Sequence, residues 1–200
     1  MLAEILLRTI TKMCDMPEGG ISHIDTGGGD FAGRDILTIQ NTFSADFIKD
    51  LYERFEQERR DNRLFHDVLE EFEFYQRQVS DERVVGLEAK LKAAGKNEEL
   101  IQMAIELKER YSKKLTKYQL FESAQRINVF LLCYARTQFM TFVYPKIKDK
   151  SNDEIVDNRM QQYVINPMLA LLKGDTYGFT PDDIHGILYF LTGNCYIKWV

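Results

Sequence analysis

The chain has 200 residues, of which 44% are hydrophobic and 28% charged, and a net charge of -5. That length supports a full domain with its own core, and the balance excludes wholesale disorder. Acids outnumber bases 31 to 26, which argues against a dedicated nucleic-acid binder, because such proteins carry a basic excess.

Residues 1–16 read as a short helix, with Leu2, Ile5, Leu6, Thr9, Ile10 and Met13 at three-and-four spacing. Glu4, Arg8 and Lys12 interrupt the stretch, so it does not read as a secretory signal. Residues 17–42 are broken by Pro17 and a run of glycines. Two short strands, at 21–24 and 36–39, are predicted around that glycine turn. The expected division is 1–42, a helix plus a glycine-rich strand element, and 43–200, a helical domain.

Ser44 is expected to cap a helix carrying Phe47, Ile48, Leu51, Tyr52 and Phe55. A second helix is predicted over 63–78 and a third over 80–94, stopped by Gly95. Asn97 caps a fourth. Charge is dense from 81 to 117, so a solvated helical hairpin around 80–117 is expected to stand partly off the core. Residues 118–145 form the most apolar helix, expected to be central and to end at Pro145. Asn128, Arg136 and Gln138 keep it from reading as a membrane span. Ser151 and Glu154 have capping-box spacing, and Asn166-Pro167 should kink or split the helix that follows. Thr180-Pro181-Asp182-Asp183 opens the last helix, with Thr as cap, Pro in the first turn and acids suited to the dipole. The fold class is therefore mainly α: a multi-helix bundle with a short N-terminal helix and a small β-hairpin or glycine-rich strand element.

Chemistry-bearing patterns are sparse. Cys14, Cys133 and Cys195 are too far apart for a local zinc or redox motif, and reduced cytoplasmic thiols are expected. His23, His66 and His185 have no second ligand at helical spacing, so no metal site and no cofactor are expected. Arg60 and His66 match the short Arg-x(4–6)-His pattern and so resemble the catalytic pair of HEPN-type ribonucleases, which are also helical. The string Gly27, Gly28, Gly29, Asp30, Gly33, Arg34, Asp35 could cradle an anion through backbone N–H groups, but it lacks the Lys-Ser/Thr of a P-loop. The alternative is a tight turn needing positive φ at several glycines.

The end of the chain carries the most specific pattern. Gly186, Tyr189, Leu191, Cys195, Ile197 and Trp199 fall where a Gly-hydrophobic-x-Tyr-x-Leu-x-x-x-Cys-x-hydrophobic-x-Trp helix would place them. This run resembles the terminal signature of C-terminal domains in bacterial three-component ABC conflict systems, the SMC-type ATPase systems related to Lamassu. The Gly27–Asp35 string is similar to a GG-D-x-x-GRD element of bacterial defence and signalling proteins. The resemblance implies a helical adaptor with no enzymatic activity of its own. Its protein partners would be an SMC-type ATPase or an effector nuclease, with self-association as a further option. Nucleic acid would enter only indirectly and no membrane is involved. Trp199, Tyr196, Phe190 and His185 are the expected interface residues, since aromatic anchors dominate contact surfaces.

Overall fold

The computed structural model describes residues 31–77, 86–172, 175 and 177–199, with side chains from Asp46 onward. Among the described residues all regular structure is helical. In chain order the elements are α1 Phe31–Arg60, α2 Glu70–Gln76, α3 Leu87–Ala93, α4 Glu98–Tyr118 and α5 Glu122–Gln138. A π-helical turn, Phe139–Val143, leads into α6 Tyr144–Lys148. After α7 Asp153–Met160 a second π turn, Gln161–Ile165, leads into α8 Asn166–Leu171. The last helix is α9 Pro181–Gly193.

The expected second strand, at 36–39, lies inside α1 instead. Ile36, Ile39, Phe43 and Phe47 recur at three-and-four spacing, and this longer helical period outweighs a four-residue β-branched run. Ser44 is consequently internal to α1 and not its cap, and α1 passes unbroken through the 42/43 boundary. The N-terminal helix over 1–16, the strand at 21–24 and Gly27–Asp30 lie outside the described residues.

Around α5 the reading holds. Ile127, Leu131, Leu132 and Ala135 are fully buried, and most of this helix is buried because its neighbours enclose it. From α1 come Ile48, Leu51, Tyr52 and Phe55, all buried. Asn97 and Asn152 cap α4 and α7, accepting from the N–H groups of Leu100 and Ile155 at 2.9 Å. The α7 cap therefore falls one residue beyond the Ser151 that spacing suggested. Gly95 stops α3 with φ +71, the left-handed conformation that glycine tolerates best.

Three expectations are corrected. The helix predicted over 63–78 is confined to Glu70–Gln76. Two amides of the segment before it donate to distant groups instead: Phe65 N–H to Leu120 O (2.7 Å) and Leu69 N–H to Gln125 Oε1 (2.7 Å). The charged hairpin does not stand off. Ile101, Ala104, Tyr111 and Leu115 line one face of α4 and are buried, and α4 lies along α9. Pro145 does not end its helix. The N–H of Tyr144 reaches back five residues to Phe139 O, and that of Asn166 likewise to Gln161 O, each immediately before a proline. A proline ring clashes with the carbonyl four residues earlier, and the wider π turn moves that carbonyl away. Two prolines are thus carried inside nearly continuous helical structure, and Phe142 stacks on Tyr163 where the two π turns meet (4.3 Å, 13°).

Candidate functional site

The chain's most specific sequence pattern maps onto α9 and the turn after it, so the site is built from there. Thr180 precedes α9, and Asp183 reaches back to it: Asp183 Oδ2 accepts from Thr180 N–H (2.7 Å) and Oγ1 (2.8 Å). Pro181 occupies the first turn, as read from the sequence. The Asp183 carboxylate is completely buried and also pairs with Lys114 Nζ of α4 at 2.6 Å. Lys114 further donates to Gly178 O, and Arg110 reaches Asp182 (2.9 Å). These basic groups on α4 lock the loop before α9 against α4.

Along the seam the two helices approach closely. A methyl group on Gly186 would lie 2.7 Å from Leu107 O and 2.8 Å from Tyr111 Cβ. One heptad later, Gly193 faces Lys108, whose Nζ would be 2.6 Å from the same kind of methyl. Burial and the neighbouring Lys90 charge push the Lys108 ammonium below its ordinary range. At the end of α9, Lys90 is buried and donates to Thr192 O (2.9 Å), answering one of the carbonyls a helix leaves open.

The turn after α9 explains the rest of the pattern. Cys195 sits at φ +70, with Cys195 N–H donating to Thr192 O and Tyr196 N–H to Leu191 O, a Schellman closure with a cysteine where glycine is usual. This thiol is free and buried. Cys133, on α5, is buried too. Tyr196 then donates to Phe74 O and Asn194 Nδ2 to Tyr75 O (3.1 Å), docking the turn on α2. Trp199 Nε1 donates to Thr192 Oγ1 (2.9 Å), and its ring meets Phe139 edge-on at 5.3 Å.

Of the residues expected at an interface, Phe190 and Tyr196 are buried, and Trp199 and His185 are half-buried. The aromatic run packs the protein's own interior, because α9 is enclosed by α3, α4, α5 and α8. The pair expected of a ribonuclease is not assembled into a pocket. Arg60 is exposed and pairs with Glu56 (2.7 Å), while His66 lies on the non-helical segment, exposed. The neighbouring cleft, of about 290 Å³, is lined by Arg54, Gln57, Glu58, Arg63, Leu64, Phe65 and Glu122, and by neither of the pair. Gly33, Arg34 and Asp35 are in the first turns of α1, where the backbone is helical, and the rest of the glycine string lies outside the described residues. Among the described residues no group of His, Cys, Asp and Glu is arranged to hold a metal, and no helix is long and apolar enough to cross a membrane.

One residue that sequence reading passed over is Gln125. Buried on α5, it donates to Asp67 O (2.9 Å) and Gln119 O (2.8 Å) while accepting from Leu69 N–H. Its only signal was a polar residue in an otherwise apolar helix. Asn128 is similar: it accepts from Tyr111 OH (2.9 Å) and donates to Ala124 O and Tyr177 OH. Burial raises both tyrosine hydroxyls above their ordinary range, so both stay neutral, Tyr111 as donor to Asn128 and Tyr177 as acceptor from it.

The fold is a helical domain whose last helix, α9, is buried and held by polar groups of its neighbours. The chain belongs to the family of C-terminal domain 9 of the ABC-three component systems, whose family model matches residues 86–199. The match opens at Gly86, just before α3, and closes at Trp199, so it covers the α3–α4–α9 seam and the core around α5. Membership makes the chain a component of a multi-component conflict system and implies protein partners. No curated protein and no solved structure matches the chain.

Proposed function

We propose that this chain is a non-enzymatic helical adaptor of a bacterial anti-phage or anti-plasmid defence complex, coupling an effector to an SMC-type ATPase in the cytoplasm. The observation that carries the reading is the family membership of residues 86–199 in a system built from several components. The way the domain uses its polar groups supports it. Lys114, Asp183, Gln125 and Asn128 are all engaged in fixing helices to one another. Rigid presentation of a surface is what an adaptor needs.

The test is co-expression with the products of the neighbouring genes, followed by size-exclusion chromatography with light scattering. The expected result is a stable complex containing an ATPase subunit, and no hydrolysis of RNA or nucleotide by this chain alone. A chain that remains a monomer in the presence of those products would refute the reading.

A further inference from the structure

We infer that Lys108 is a modification site: a nucleophilic lysine that takes a short acyl group onto Nζ from a small acyl phosphate. Lysines from two different helices meet one end of α9. Lys90 of α3 is buried and donates to Thr192 O at 2.9 Å. Lys108 of α4 meets the very next residue. A Cβ on Gly193 would stand 2.6 Å from its Nζ and 3.0 Å from its Cε. The missing side chain at 193 is what lets this amine tuck against α9. Lys108 Nζ has no hydrogen-bond or ion-pair partner among the described residues.

The amine is also within reach from outside. Lys108 lines a cleft of about 400 Å³ whose apolar wall is Leu87 and Ile105. The carboxylates of that cleft are committed to other cations, Glu88 to Lys92 at 2.7 Å and Glu109 to Lys113 at 3.8 Å. From α9 comes Tyr189, a turn before Gly193, and no carboxylate at this end. A half-buried ammonium that faces a like charge and has no anion to hold its proton gives that proton up more readily. Burial first, and then the Lys90 charge, hold Lys108 below its ordinary range accordingly. Desolvation beside another cation is a general route by which a lysine becomes a nucleophile. The apolar wall suits a short acyl chain. Once the ammonium has lost a proton to water, the Nζ lone pair adds to the acyl carbon. The C–O bond to phosphate then breaks, inorganic phosphate leaves with the electron pair, and the nitrogen loses a second proton to water. The product is a neutral amide, which removes one of the two like charges at the end of α9.

A time course of the full chain with acetyl phosphate at neutral pH, with each acetylated lysine located by mass spectrometry after cleavage at glutamate, tests this. Lys108 should react faster than Lys113, which is exposed on the same helix, by about threefold or more. It should also react faster in the native chain than in the chain unfolded in guanidinium chloride, and reach half its limiting rate at a lower pH. Gly193→Ala puts a methyl where Nζ lies and pushes the amine out toward water. That variant should slow Lys108 and leave Lys113 unchanged. Lys90→Gln removes the like charge and should slow Lys108 as well. The fluorescence of the single tryptophan, Trp199, reports whether each variant is folded. Should one not fold, the native and unfolded rates of the unaltered chain decide by themselves. Acetylation of Lys108 no faster than that of Lys113, a Lys108 rate that rises on unfolding, or folded variants that react as the unaltered chain does would overturn the inference.

Discussion

At Gly186 a methyl group meets backbone. Leu107 O at 2.7 Å belongs to a rigid helix and cannot step aside, so Gly186→Ala should cost about 1–3 kcal/mol in urea unfolding. Gly193 offers the internal comparison. The atom its methyl would meet is the end of the flexible Lys108 side chain, and Gly193→Ala should cost less than about 1 kcal/mol. Equal losses at the two sites would mean that close helix approach is not what Gly186 provides. Asp183 is the second residue on which much depends. Asp183→Ala leaves the Lys114 ammonium, only 16% exposed, without its carboxylate and removes the acceptor for Thr180. A loss of about 3 kcal/mol is expected, and Lys114→Met in the Asp183→Ala background should recover part of it. If the double variant is no more stable than the single one, the unpaired ammonium is not the cause.

On the scale of elements, the segment between α1 and α2 shows why helical spacing can mislead. Leu64, Phe65, Val68, Leu69 and Phe72 have a helical period, yet only the last part of the run is helix. The amides of Phe65 and Leu69 find acceptors on the α4–α5 turn and on α5, and those tertiary bonds replace the local ones. Gln125→Leu tests this. It orphans Leu69 N–H, Asp67 O and Gln119 O together and should destabilise by about 2 kcal/mol. Hydrogen exchange at Leu69 should accelerate more than at the α5 amides; uniform acceleration would show only global loss. The prolines carry the complementary lesson. Pro145 and Pro167 are legible as helix irregularities, and Pro181 as a helix start. Whether a proline ends a helix or is absorbed in a π turn depends on what packs on both sides, and here Phe142 and Tyr163 stack across the two turns.

For the whole molecule, His185 links packing to pH. Burial lowers its pKa from the ordinary 6.5, with Asp182 opposing the shift. The neutral imidazole is therefore favoured in the fold, and the unfolded chain takes up its proton first as pH falls. Stability should decline as pH drops through about 6.5 and level off below the folded value. His185→Gln should flatten that part of the curve when urea midpoints at about pH 8 and about pH 5.5 are compared; an unchanged slope would assign the pH dependence elsewhere. The same burial explains the fate of the aromatic C-terminus. Phe190, Tyr196 and Trp199 read as anchors for a partner because they cluster near an end of the chain. The fold turns them inward, onto Tyr111, Phe74 and Phe139.

Sequence alone determined the helical class, the central position of α5, the caps at Asn97 and Thr180, the stop at Gly95 and the family pattern from Gly186 to Trp199. Each of these is a local preference or a periodicity, set by residues a few positions apart. Only the tertiary structure decided which apolar faces met inside and which stayed out, that 63–69 is pinned by Gln125, and that the charged hairpin lies along α9. Those outcomes depend on groups 50 or more residues apart in sequence finding one another, as Leu69 and Gln125 do across 56 positions and Lys90 and Thr192 across 102. The spacing of residues along a single chain carries no record of such pairings.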